Sequence, residues 1–171
     1  MAADLKLLVP QFAEKVEKLV EECAKKALIM RPICTIRTPQ EQAKLWRQSR
    51  TSEEIRLKIL ELRKQGLLFL ADLIDKTPPC SGPQVTKVIP GFSWHQWGEA
   101  VDCVWIKEGK AEWNDLSGYQ LYGKVASNLG LDAGANWKWK DYPHVQFRTP
   151  GVASVYDNKK INDEMKKRFS K

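Results

Sequence analysis

Ser93–Asp102 reads SWHQWGEAVD, and the fold turns on how this stretch passes from loop to strand. The chain has two histidines in 171 residues. One of them, His95, stands among Trp94 and Trp97, with Gly98 three residues on and Asp102 seven residues on. A histidine in apolar company is usually a packed, hydrogen-bonded core residue. The alternative is that His95 and Asp102 share a metal ion. On a straight helix seven residues rise about 10.5 Å, which is awkward for two groups that must each approach zinc to about 2.0–2.2 Å. On a straight strand an odd separation puts them on opposite faces. A shared ion therefore requires a bend, and Gly98 permits one. His95 then belongs to the incoming loop and Asp102 to the strand "EAVDCVWI" that follows.

The second histidine lies in "KDYPHVQ", where Asp141 precedes His144 by three and Pro143 holds Tyr142 extended. With His144 as third ligand, the set His, Asp, His leaves one tetrahedral position open, the pattern of a catalytic zinc site rather than a structural one. Asp141 is then a carboxylate placed to act as general base.

Outward from these motifs, the chain reads as α+β. "ADLKLLVPQFAEKVEKLVEECAKKAL" has helical spacing to about Lys26, with Pro10 as a kink or the true start. "LIMRPICTI" is a candidate buried strand. In "RTPQEQAKLWRQSR", Thr38 caps, Pro39 suits the first helical position and Glu41 completes a capping box, so a helix starts directly after Arg37. A second box, Thr51 to Glu54, opens one or two amphipathic helices broken near Gly66. "TPPCSGPQVTKVIPG" is a turn-rich loop with a short strand expected around 85–89. "EGKAEWND" reads as a turn, "LSGYQLYGKVASNLG" as a helix closed by Gly130, and the residues around 144–147 as a second strand. The tail "DNKKINDEMKKRFSK" is a basic amphipathic helix.

Composition bounds the rest. The length suits one domain with a proper core, and 43% hydrophobic residues with mixed charges exclude disorder. The longest apolar run, "GLLFLADLI", is too short to span a membrane and contains Asp72. Lys and Arg number 28 against 21 Asp and Glu, a net +7 that favours a polyanionic partner. No basic-plus-aromatic recognition motif accompanies that charge, so nucleic acid is not the expected partner. Four cysteines lie far apart with no C-x-x-C pair, which disfavours a structural zinc knot. No secretory signal is read at the start, so the expected route is synthesis in the cytoplasm and action on the cell wall or periplasm after release.

"SWHQWGEAVD" matches S-x-H-x-x-G-x-A-x-D at Ser93, His95, Gly98, Ala100 and Asp102. "DYPH" matches D/E-x-x-H, and "RTPQEQAKLW" is similar to an upstream arginine motif. In order and spacing the chain resembles the LAS zinc peptidases, the group of lysostaphin, D-alanyl-D-alanine peptidases and the hedgehog signalling domain. It is most similar to the D-alanyl-D-alanine carboxypeptidase branch with its phage L-alanyl-D-glutamate endolysins. The resemblance covers roughly residues 29–148. It implies a small antiparallel sheet that carries one zinc ion and packs against several helices. His95, Asp102 and His144 are the implied metal ligands. Asp141 is the implied catalytic carboxylate, and Arg37 the implied arginine that polarises the scissile carbonyl. Ser93, Gln42 and Trp139 are the residues expected at the substrate. The remaining tryptophans divide between core, the expectation for Trp105, and cleft wall, with Trp94 and Trp97 open between the two.

The implied activity is zinc-dependent hydrolysis of an amide in the stem peptide of peptidoglycan, first as an L-alanyl-D-glutamate endopeptidase of endolysin type. The alternatives are a D-alanyl-D-alanine carboxypeptidase or dipeptidase, or a non-catalytic zinc-stabilised binding module. Residues 51–76 stand out as a helical insertion and residues 157–171 as a basic C-terminal helix, within one domain expected to be monomeric.

Overall fold

In the computed structural model, which describes residues 3–170, the helix starts fall where local chemistry dictates. Pro10 opens α1 (Pro10–Ala24) from the first position, where a missing N–H costs nothing. α2 (Pro39–Arg47) and α3 (Ser52–Lys64) both begin with complete capping boxes, Thr38 with Glu41 and Thr51 with Glu54. α4 (Leu68–Lys76) follows a break at Gly66, whose φ of 77° lies in the left-handed region.

The strands are β1 (Ile29–Cys34), β2 (Ala100–Lys107), β3 (Lys110–Glu112), β4 (Asp132–Ala133) and β5 (His144–Gln146). All pair antiparallel, in the order β1-β2-β5-β4, with β3 returning on the far end of β2. α5 (Leu116–Asn128) precedes β4; α6 (Val152–Val155) and α7 (Asn158–Phe169) end the chain. This is the expected α+β class with a small antiparallel sheet. Two local readings are corrected. "EGKAEWND" contains β3, because Glu108 and Gly109 both take positive φ and close a tight hairpin. No strand forms at 85–89. The carbonyls of Val88 and Thr86 accept from the side chains of Gln42 and Arg50 instead of from a ladder.

The contacts divide the chain into two compact units. One runs to Ile36 and resumes over Trp97–Thr149; the other comprises Arg37–Gln96 and continues from Pro150. In the first, Phe12, Val16, Leu19 and Cys23 form the buried stripe of α1. They join Tyr119, Tyr122 and Val125 of α5 and the inward residues Val101, Cys103, Ala133 and Val145 of the sheet. In the second, α4 packs against α2, α3 and α7. α4 has no cap of its own: Asn162 of α7 accepts from the Phe69 N–H at its start, and Arg47 of α2 donates to the carbonyls of Ile74 and Thr77 at its end. Among the described residues, no helix is long and apolar enough to cross a membrane.

Candidate metal centre

Cross-strand register decides what the sheet presents. Residues opposite one another point to the same face, and alternate residues along a strand do too. Asp102 stands opposite His144 on one side and Cys34 on the other, while Gln146 stands opposite Asp132 and Ala100. Cys34, Asp102, His144, Gln146 and Asp132 therefore share one face. Val101, Cys103, Ala133 and Val145 take the other and enter the core.

On the polar face a chain of hydrogen bonds holds the His144 ring in place. The Gln146 amide donates to Asp132 Oδ2 at 3.0 Å and to the Arg148 carbonyl at 2.6 Å. Both amide hydrogens are thus engaged, and its Oε1 is left to face His144 Nε2 at 3.1 Å. His144 Nδ1 lies 3.0 Å from Asp102 Oδ1 on its other side. Ligands at zinc distances stand about 3.4 Å apart across a tetrahedral edge, so the pair fits an ion with little adjustment. Trp137 packs its ring on His144, centroids 5.2 Å apart, and donates its indole N–H to Asp132 Oδ1 at 2.8 Å. Asp132 thereby anchors both supports of the histidine.

His95 lies on a 3₁₀ turn, Trp94–Trp97, and is 1% exposed. Ser93 Oγ accepts from the His95 N–H, and the Ser93 N–H donates to Gln96 Oε1, which together cap the turn. Gly98 then takes φ 74°, where an L side chain is strained; a Cβ there would also press on the Leu7 carbonyl. The bend required between His95 and Asp102 is present at that glycine. His144 meets Asp102 from the β5 side.

Asp141 is exposed in the turn before β5. Its N–H donates to the Gly134 carbonyl at 3.1 Å, and its own carbonyl accepts from the His144 N–H at 3.1 Å. A Cβ at Gly134 would collide with the Asp141 carbonyl, so glycine is what lets this turn seat. Arg37 is half-buried and donates to Gln42 Oε1 at 3.2 Å, while the Gln42 amide donates to the Val88 carbonyl at 2.8 Å. Gln42, buried in α2, holds the guanidinium. Trp139 is 79% exposed. Trp94 and Trp97 are buried, and the Trp94 indole donates to the Pro150 carbonyl. Trp105 packs against the core cluster, as expected. Glu99, nearly fully buried, takes both arms of the Arg148 guanidinium, which ties the start of β2 to the end of β5.

Cys34, Asp132 and Gln146 are the polar-face residues that sequence reasoning did not single out. Gln146 had a signal: it lies two residues past His144 on a strand, hence on the same face.

Among known proteins, a sequence profile of the VanY family, described as D-alanyl-D-alanine carboxypeptidase, matches residues 5–140. The match includes His95 and Asp102 and ends one residue before Asp141. No curated protein matches the chain. Solved structures similar to it include two peptidases. The Serratia marcescens L-Ala D-Glu endopeptidase ChiX has a TM-score of 0.49 and 16% identity, over 84% of this chain and 83% of that one. A variant of the vancomycin-resistance D,D-pentapeptidase VanY from a VanB-type cassette, in complex with Zn(II), has a TM-score of 0.39 and 15% identity, over 91% and 78%. With well over half its length matched, the chain belongs to the VanY D-alanyl-D-alanine carboxypeptidase family and is a LAS-type, peptidoglycan-hydrolysing metallopeptidase.

Proposed function

We propose that the chain is an L-alanyl-D-glutamate endopeptidase acting on the stem peptide through a single zinc ion, with His95, Asp102 and His144 as its ligands. The observation that carries the metal assignment is that β2 and β5 set Asp102 and His144 opposite each other, with His144 Nδ1 3.0 Å from Asp102 Oδ1. When bound, zinc supplies Lewis-acid polarisation of the scissile carbonyl and acidifies the attacking water. The chain's own residues do the rest. Gln146 and Trp137 hold the imidazole so that Nδ1 faces Asp102, where the two would hold the ion. Asp141 takes a proton from the attacking water and delivers it to the leaving amine. Arg37, held by Gln42, stabilises negative charge developing on the carbonyl oxygen. Ser93 keeps the turn that presents His95. The net positive charge suits an anionic wall polymer, and a monomer acting on the wall after release is the simplest arrangement.

Two points support cleavage within the stem rather than at its end. The sequence resembles the endolysin branch, and a carboxypeptidase needs a fixed cation for the terminal carboxylate. Arg148, the guanidinium at the end of β5, is engaged by Glu99 instead. The family description favours the second reading, removal of the terminal D-alanine. Digestion of purified peptidoglycan, with and without a chelator, separates the two by mass spectrometry. New amino-terminal D-glutamate is expected, released D-alanine overturns the endopeptidase reading, and turnover unaffected by metal removal overturns the metal.

A further inference from the structure

Gly130, in the left-handed region at φ 71°, ends α5 in a Schellman motif. Its N–H donates to the Ser127 carbonyl and that of Leu131 to the Ala126 carbonyl, each at 3.0 Å. Leu131 and Ala133, both buried, then fix the phase of β4, so Asp132 between them emerges on the polar face opposite Gln146. There its two carboxylate oxygens go to two different supports of His144. Oδ1 accepts the Trp137 indole N–H at 2.8 Å, and Oδ2 accepts the Gln146 amide at 3.0 Å. Two residues on, the Gly134 carbonyl accepts from the N–H groups of both Trp137 and Asp141, at 3.2 and 3.1 Å. Lys140 closes the same loop on the Ala135 carbonyl at 2.8 Å. β4 and the turn after it therefore hold both the ring of His144 and the segment that carries Asp141.

Resting on the metal reading above, we infer that Asp132 is a positioning residue that serves the ligand His144 and the base Asp141 together. It acts through Gln146 and Trp137, not on the ion itself. Gln146 Oε1 meets His144 Nε2 at 3.1 Å, and the Trp137 ring packs on the imidazole with centroids 5.2 Å apart. Partners that orient a ligating histidine govern how tightly a site retains its metal. Trp137 also opens the loop whose far end is Asp141, and a general base must lie within hydrogen-bond reach of the proton it takes. A carboxylate suits the place because both of its partners are donors. An amide there would offer one acceptor oxygen and turn a donor toward the other partner.

The test uses the full chain and Asp132→Asn, which keeps the size of the side chain and loses one acceptor. Zinc affinity, read by competition with a chromophoric chelator, should fall on the order of 10–100-fold. With Co(II) in place of zinc, the visible bands should shift, since they report ligand geometry. At saturating metal, kcat on peptidoglycan should drop on the order of 10–100-fold with KM little changed, as for a misplaced catalytic group. Trp137→Phe keeps a ring on His144 and drops only the indole N–H; it should lower kcat in the same way, and it carries the test if Asp132→Asn does not fold. Wild-type zinc affinity and kcat in either folded variant overturn the role of Asp132 and leave the metal reading standing. An affinity loss that only tracks unfolding of the metal-free chain, or one with kcat at saturating metal unchanged, overturns the joint role as well. No metal uptake by the wild type overturns both readings.

Discussion

The two faces of the sheet are made by the same few residues taken alternately, and they do opposite work. Val101, Cys103, Ala133 and Val145 enter the core against α1 and α5, while Asp102, His144, Gln146 and Asp132, their immediate neighbours in sequence, form a polar network. On the core side identity is loose, because any apolar group of similar volume supplies much the same burial energy. On the polar side identity is strict. Each hydrogen of the Gln146 amide there has a named acceptor, and both ring nitrogens of His144 have a named polar partner. Stability and chemistry are thus separable at a spacing of one residue.

That separation can be broken or sharpened by experiment. The largest effect is expected for Asp141→Ala, which removes the proton acceptor but no assigned ligand. Hydrolysis should fall by roughly 10²–10⁴-fold with metal content, measured by elemental analysis, unchanged; undiminished turnover sinks the mechanism. Next comes Gln146→Leu, which strips the polar partner from His144 Nε2. Metal affinity should weaken about 10–100-fold, read by competition with a chromophoric chelator, with only a modest loss of stability. Val145→Ala, one residue away, should do the reverse. It should cost about 1–3 kcal/mol in denaturant unfolding and leave metal affinity within a factor of two or so. If the two variants behave alike, the faces are not independent.

The smallest effect concerns the core-face thiols. Burial pushes Cys103 up to about 12 and Cys23 up to about 11, so both stay protonated in the fold beyond the ordinary cysteine range. Between pH about 9 and 11 the unfolded chain ionises these groups and the folded chain does not. Stability from this source is complete below the ordinary thiol pKa and declines as pH rises through that window. Alkylation in the native state should spare Cys23 and Cys103 and reach the partly buried Cys34 and Cys80 first, as peptide mapping would show. Rapid native labelling of Cys103 would mean that the core face is open.

Much was legible in the chain because its signals are local. Thr38 with Glu41 and Thr51 with Glu54 announce helix starts within four residues. Gly98 announces a bend because glycine alone takes φ 74° without strain. The spacing of Phe12, Val16, Leu19 and Cys23 announces a buried helix face. The expected strand at 85–89 failed because a short β-branched run does not say whether a neighbouring strand exists to pair with it.

By itself, then, the sequence determined the longer helices, the capping boxes of α2 and α3, the glycine turn after His95, and the two histidine motifs that carry the resemblance. Only the tertiary structure decided which side chains share a face. The bulge that carries Cys34 across to Asp102, the Gln146–Asp132 support behind His144 and the Gln42 hold on Arg37 all depend on register or packing between segments far apart in the chain. Helical periodicity and capping are written within a few residues, whereas strand register is a property of two segments at once, and one slipped residue reverses which groups meet.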